Sequence, residues 1–110
     1  MGLRREEFGE EIAPSEYVFR FPDGSKRVVR LRVGKPYQIS KSEWACPVEL
    51  NGFEARYPDI RGNDSMQALN LALSLVCRRL EDFVHKGGKL FDREGGHHYT
   101  LKDLRKVLGR

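Results

Sequence analysis

The sequence has few cysteines and no long apolar run. Its 110 residues include two cysteines, Cys46 and Cys77, which are too few for a disulfide-stabilised scaffold and do not form a CxxC pair. No stretch approaches the roughly 20 apolar residues of a membrane span, and the first residues are charged where a secretory signal would be apolar. We therefore expect a cytoplasmic protein without a membrane segment, in which both thiols are small buried side chains.

Recognisable catalytic, metal-binding and phosphate-binding motifs are also lacking, so we predict no catalytic residue and no cofactor. The cluster closest to metal-ligand chemistry is the pair His97 and His98, with Asp92 and Glu94 nearby. Adjacent histidines in a glycine-rich loop need a third ligand from a rigid element, and the sequence offers none. His97 and His98 are therefore weak metal candidates, and we expect a solvated polar loop.

What is present is the composition of one globular domain. Of the residues, 39% are hydrophobic and 33% are charged, and a chain of 12.7 kDa has room for one core. Residues 1–15 are polar and charged, and Pro14-Ser15 forms a natural break after them. We therefore expect a flexible N-terminal arm over residues 1–15 and a single domain over residues 16–110.

Alternation of apolar and polar residues predicts four β-strands in the first half of the chain. These segments are residues 17–21, 26–33, 43–50 and 53–57. Turn residues at 22–25 link the first two strands, and Asn51-Gly52 is a strong hairpin signal between the last two. Pro47 cannot donate a hydrogen bond to a ladder, so its strand should lie at a sheet edge or carry a bulge. The pattern indicates a four-stranded antiparallel meander.

The clearest predicted element is a long α-helix from Asp64 to about Lys86. Asp64 can cap the first amides while Gln67 reaches back as in a capping box, and Gly87-Gly88 ends the helix. Because Asp64 would occupy these amides, an anion site at this helix start is the weaker alternative. The apolar residues form a broad stripe: Met66, Ala68, Leu69, Leu71, Ala72, Leu73, Leu75, Val76, Leu80 and Phe83.

A helix this apolar must be covered on more than one side, by the sheet and by either the C-terminal segment or another subunit. Leu71 and Leu75, which widen the stripe, are therefore candidate interface residues, and a homo-oligomer is one predicted assembly.

The C-terminal residues predict two short elements. Residues 89–92 are a candidate fifth strand, and Thr100 with Asp103 can cap a short helix that ends at Gly109. The predicted fold class is α+β, with a four-stranded antiparallel meander packed on one long α-helix and a short C-terminal helix.

Positive charge is concentrated in residues 17–35 and 86–110. Three arginines on the polar side of the first two strands form a candidate basic patch on the open face of the sheet. These are Arg20, Arg30 and Arg32. The patch could receive nucleic acid or an acidic protein, or it could be neutralised by Glu49 and Glu54 on adjacent strands.

Several short motifs stand in one order along the chain. Trp44-x-Cys46-Pro47 is followed by Asn51-Gly52 and then by Gly62-x-Asp64-Ser65-x-Gln67-Ala68-Leu69 at the start of the leucine-rich helix. Over residues 16–86 the chain resembles a family of small uncharacterised bacterial proteins with a domain of unknown function. The resemblance implies a sheet-plus-helix fold and brings no activity with it.

The sequence favours a non-enzymatic protein-interaction module that binds an unknown protein partner or a second copy of itself. The alternative is nucleic-acid binding through the basic sheet face and the basic C-terminal segment. A third hypothesis, an enzyme that uses the 92–98 loop, depends on metal binding at that loop.

Overall fold

The computed structural model describes residues 7–109, without the side chain of Leu108. Two antiparallel sheets and two helices fill this range. The strands are β1 (Ser15–Arg20), β2 (Lys26–Val33), β3 (Tyr37–Ser40), β4 (Glu43–Cys46), β5 (Val48–Asn51), β6 (Ile60–Gly62), β7 (Lys89–Phe91) and β8 (His98–Tyr99). The helices are α1 (Ser65–His85) and α2 (Leu101–Leu108). The α+β class is therefore confirmed.

The predicted four-stranded meander is wrong, because the strands divide between two sheets. A five-stranded sheet has the order β5-β2-β1-β7-β8, and a three-stranded sheet has the order β3-β4-β6. The predicted hairpin of β1 and β2 is present, and the candidate strand at residues 89–92 is present as β7, between β1 and β8 of the larger sheet. The division occurs at Pro47, which lies between β4 and β5 and in neither strand, so no ladder needs its missing N–H. Strand β5 lies at an edge of the larger sheet, whereas β4 is the central strand of the smaller one.

The hairpin predicted at Asn51-Gly52 is also wrong. Gly52 adopts a positive φ of 97°, but the turn ends with the amides of Phe53 and Glu54 both donating to the Leu50 carbonyl, and residues 53–57 form no strand. The Phe53 ring packs instead against Phe19 at 5.0 Å between centroids. This aromatic contact draws the segment towards the core and away from the edge of β5.

Helix α1 begins and ends as its capping residues predict. The Asp64 side chain accepts a hydrogen bond of 2.8 Å from the Gln67 amide, while the Gln67 side chain accepts from the amide of Asn63. Gly87 stops the helix with a positive φ of 94°. Helix α2 likewise has the predicted capping box of Thr100 and Asp103, and it ends at Gly109 in the left-handed conformation.

Both sheets cover α1. The core lies between the helix and the inner faces of the two sheets, and Leu104 of α2 closes one side of it. Gly62 lets β6 approach closely, since a Cβ there would lie 2.5 Å from the backbone nitrogen of Ala68. The second cover that α1 needs is thus supplied by the three-stranded sheet and by α2. Neither helix within residues 7–109 combines the length and the apolar content needed to cross a membrane.

Candidate binding surface on the outer sheet face

The five-stranded sheet has an outer face that points away from α1. Because directly paired residues of antiparallel strands share a face, the register places Lys26, Arg20 and Lys89 side by side on β2, β1 and β7. The next row holds Val28, Val18 and Phe91 on the same strands. A basic row and an apolar row therefore run in parallel across the sheet.

The rows towards the other end of this face carry ion pairs. Arg32 donates to Glu49 across the β2–β5 pair at 2.8 Å and to Glu11 at 3.1 Å. Arg30 lies 3.4 Å from the same Glu11 carboxylate and 3.8 Å from Glu16 on β1. Both arginines of this end are thus neutralised by carboxylates of the same chain.

A segment before β1 lies on top of these arginines. Phe8 is 7% exposed, and its ring centroid is 4.1 Å from the guanidinium carbon of Arg32 and 5.1 Å from that of Arg56. Arg56 itself pairs with the buried Asp59 at 3.0 Å. The Phe8 ring therefore lies against two guanidinium groups, an arrangement that cation–π attraction favours.

Backbone bonds fix this segment beside the end of β2. The Ile12 amide donates to the Val33 carbonyl at 2.9 Å, and the Lys35 amide donates to the Glu10 carbonyl at 2.7 Å. Gly34 gives the Phe8 ring room, because a Cβ at residue 34 would lie 3.0 Å from it. Residues 8–12, within the expected N-terminal arm, thus contact the sheet. Residues 1–6 lie outside the described range, and the flexibility of the arm stays a prediction.

The outer face consequently has two halves. The covered half consists of Arg30 and Arg32 on β2 and Arg56 in the loop between β5 and β6, with Phe8 and Glu11 lying against them. The open half consists of the basic row and the apolar row: Lys26, Arg20, Lys89, Val28, Val18 and Phe91.

The candidate patch of Arg20, Arg30 and Arg32 is divided between these halves. All three lie on the outer face as predicted, but Arg20 is four residues from the position opposite Arg30, about 13 Å along the strand. The predicted neutralisation by Glu49 is present at Arg32, whereas Glu54 pairs with Arg79 of α1 at 3.0 Å and not with the patch.

A cleft of about 300 Å³ opens beside the apolar row. Val18 and Val28 line it from the sheet, and the loop after β7 lines it with Asp92, Arg93 and Glu94. Val28 is 63% exposed, the highest value of any large apolar strand residue in the described range. An exposed ion pair between Lys26 and Glu94 links the loop to the sheet.

The loop itself is held by Asp92, whose side chain accepts the His97 amide at 2.7 Å. The two histidines lie on opposite sides of the chain, since His97 packs on Tyr99 of the inner side and His98 packs on Phe91 of the outer face. His97 Nε2 is 3.5 Å from Asp103. Among residues 7–109 no group of three His, Cys, Asp or Glu side chains is arranged to hold a metal ion.

Two further features fall outside the outer face. A polar cleft of about 480 Å³ at the start of α1 is lined by Ser40, Ser42 and Arg61, but Arg61 is paired with Glu43 and the helix amides are capped by Asp64.

Burial, and then the charge of Asp59, raise the pKa of the Cys46 thiol to about 12. A fully buried thiol in this state is a poor nucleophile.

The residues that the sequence reasoning missed are Phe8, Lys26, Val28 and Lys89. Alternation along β2 places Lys26 and Val28 on the same face as Arg30, because these residues are separated by even numbers of positions in the strand. The pairing of β1 with β7, which brings Lys89 beside Arg20, is non-local and has no signal in the sequence.

A family model described as a domain of unknown function (DUF6968) matches residues 16–102. No curated protein and no solved structure matches the chain. The match confirms the predicted resemblance to a domain of unknown function and contains the five-stranded sheet except for Ser15 of β1, whereas residues 8–12 lie before it.

Proposed function

The chain belongs to this family of domains of unknown function, which brings no known activity, and from the geometry of the outer face we propose that the chain is a non-enzymatic protein-interaction module. The partner is a protein that binds the open half of the outer face. As the sequence predicted, we place this module in the cytosol of a bacterium.

The observation that best supports this proposal is the exposure of the Val28 side chain beside the cleft. Val28 lies at the end of the apolar row, where β2 pairs with β1 but not with β5, and it is 63% exposed. Its row neighbour Val18 is only 8% exposed and lines the cleft together with the adjoining loop. Both helices pack on the inner side, where Leu104 of α2 joins the core around α1. Exposed apolar surface bordered by charged side chains is typical of a protein-binding surface.

The charges around the cleft favour a protein over nucleic acid. Three cations, Lys26, Arg27 and Arg93, line it together with three carboxylates, Glu16, Asp92 and Glu94. A continuous phosphate backbone would meet repulsion at each carboxylate, whereas a protein surface can match both signs. Two of the three arginines on which the nucleic-acid hypothesis depended are ion-paired in the covered half. The basic row of Lys26, Arg20 and Lys89 and the basic C-terminal segment, in which Lys102 and Lys106 are exposed, still favour that alternative.

Self-association through α1 has less support than the outer face. Met66 and Leu71 are 72% and 41% exposed, but they stand five residues apart, about 140° around the helix, and so form no single patch. Leu75 is partly buried against the core, and the three-stranded sheet and α2 pack on the other sides of α1. We therefore propose that the interface lies on the outer face and not at Leu71 and Leu75.

Site-specific photocrosslinking in the native host cell tests this proposal. A photoreactive residue replaces Val28 in the full chain, and the matched control replaces Val107 of α2, which is 60% exposed and lies away from the outer face. We expect a discrete protein adduct at position 28, resistant to nuclease, absent at position 107 and reduced severalfold by Arg20→Glu. Equal adducts at both positions would contradict the proposal, and a nuclease-sensitive adduct at position 28 would favour nucleic acid instead.

A further inference from the structure

The covered half resembles a ligand site that is already filled. The segment over residues 8–12 contributes an aromatic ring, a carboxylate three residues later and two backbone hydrogen bonds, and each of these meets a complementary group. Aromatic anchor, charged anchor and strand-like backbone pairing are together the means by which proteins read short linear peptides.

We propose that Arg30, Arg32 and Arg56 form a binding site for acidic peptide segments with an aromatic residue three positions before a glutamate, and that this chain's own residues 8–12 occupy it. The external ligand is such a segment of a partner protein, which competes with the internal one. This inference concerns the covered half and goes beyond the function proposed for the open half.

The walls of the site keep their structure without the segment. Arg32 retains Glu49, Arg56 retains Asp59, and Arg30 retains Glu16. Arg30 and Arg32 each have a carboxylate partner besides Glu11, and Arg56 is paired with Asp59 and not with Glu11, so departure of Glu11 leaves none of the three as an isolated charge. The site is thus formed by the domain, and the segment is its occupant.

The occupant is separable from the core. Phe8 lies outside the apolar cluster that joins α1 to the sheets, and its ring lies against the guanidinium groups of Arg32 and Arg56 and next to Gly34. Ile12 is 45% exposed, and the next residues up to β1, Ala13 and Pro14, are exposed as well. Release of the segment therefore exposes one aromatic ring and the arginine site but leaves the core closed.

Attachment to the same chain gives the internal segment an advantage. A short tether holds it near the site at an effective concentration in the millimolar range, so an external peptide binds the wild-type chain only weakly. Weakening the internal segment by substitution should reveal the affinity of the site for an external one.

The experiment uses a fluorescent peptide with the sequence of residues 7–13, Glu-Phe-Gly-Glu-Glu-Ile-Ala. It is titrated by anisotropy against the wild-type chain and against the full-length double variant Phe8→Ala/Glu11→Gln. We expect the double variant to bind at least about tenfold more tightly than the wild type, because the competing segment is weakened. A control peptide with alanine for the phenylalanine and glutamine for the second glutamate after the glycine should bind neither protein.

A third variant adds Arg30→Gln to the double variant. Arg30 is 41% exposed in its side chain, so its loss should leave the fold intact by circular dichroism while it weakens peptide binding severalfold. Equal affinity of the wild type and the double variant, or equal binding of the two peptides, would overturn the proposal. So would a concentration-dependent dimer of the wild type that Phe8→Ala abolishes, because the occupant would then come from a second copy. Crosslinking at position 28 is independent of all these results.

Discussion

The two halves of the outer face share β1 and β2 and differ in what lies on them. In both halves basic side chains of β2 project outwards beside neighbours on adjacent strands. In the covered half these neighbours include carboxylates, and an aromatic segment is added on top; in the open half the neighbours are Arg20, Lys89 and an exposed valine. Strand alternation thus determines which side chains face outwards, and the residues paired with them determine whether these side chains are available to bind a partner.

The contrast also separates structural from functional charge. Arg32 has two carboxylate partners and a ring against its guanidinium, so it contributes to folding. Arg20 has lysines opposite it on both sides, an arrangement that is unfavourable for folding and is relieved when an anionic group approaches. The following predictions test this difference, beginning with the largest expected effect.

Arg32→Ala should destabilise the chain much more than Arg20→Ala. Loss of Arg32 leaves Glu49, which is 9% exposed, without its partner, and should lower the free energy of unfolding by about 2 kcal/mol. Arg20→Ala should change it by less than about 0.5 kcal/mol. Urea denaturation of the two variants measures both values, and equal losses would contradict the distinction between the halves.

Phe8→Ala should cost more than Val28→Ala. Phe8 is buried against two guanidinium groups but lies outside the core cluster, so we expect a loss of about 1.5 kcal/mol, less than for a core phenylalanine. Val28, which is mostly exposed, should lose less than about 0.5 kcal/mol. The same denaturation series compares them, and a larger loss at Val28 would show that the open half is packed in solution.

Lys26→Ala should have a small effect on stability. The Lys26–Glu94 pair links the loop to the sheet, but its side chains are 46% and 67% exposed, so its removal should cost less than about 0.5 kcal/mol. Lys89→Ala, from the same basic row, is the matched control. A loss near 2 kcal/mol at Lys26 would mean that the loop is a structural part of the sheet.

The smallest expected effect is on the thiol beneath the covered half. Cys46 is fully buried and burial raises its pKa to about 12, so iodoacetamide should leave it unmodified at pH 8 in the native protein. Phe8→Ala should leave this protection unchanged, because release of the segment does not open the core. Mass spectrometry with peptide mapping provides the readout, and rapid labelling of Cys46 in the variant would refute the separability of the segment.

The sequence predicts what depends on neighbours along the chain. The caps of both helices, the β1–β2 hairpin and the outward direction of Arg20, Arg30 and Arg32 follow from local rules. It does not predict what depends on distant partners. Three features join segments that are far apart in sequence: the division into two sheets, the pairing of β7 with β1 and the contact of Phe8 with Arg32. At Asn51-Gly52, aromatic packing overrides the local hairpin signal.

Amide hydrogen exchange most directly tests the claim that the chain covers half of its own outer face. The Ile12 and Lys35 amides donate to the Val33 and Glu10 carbonyls, so both should be protected in the wild type. In Phe8→Ala we expect this protection to be lost while the amides within β2 keep theirs. Exchange of Ile12 and Lys35 at the rate of an unstructured peptide in the wild type would contradict the account, because both halves would then be open.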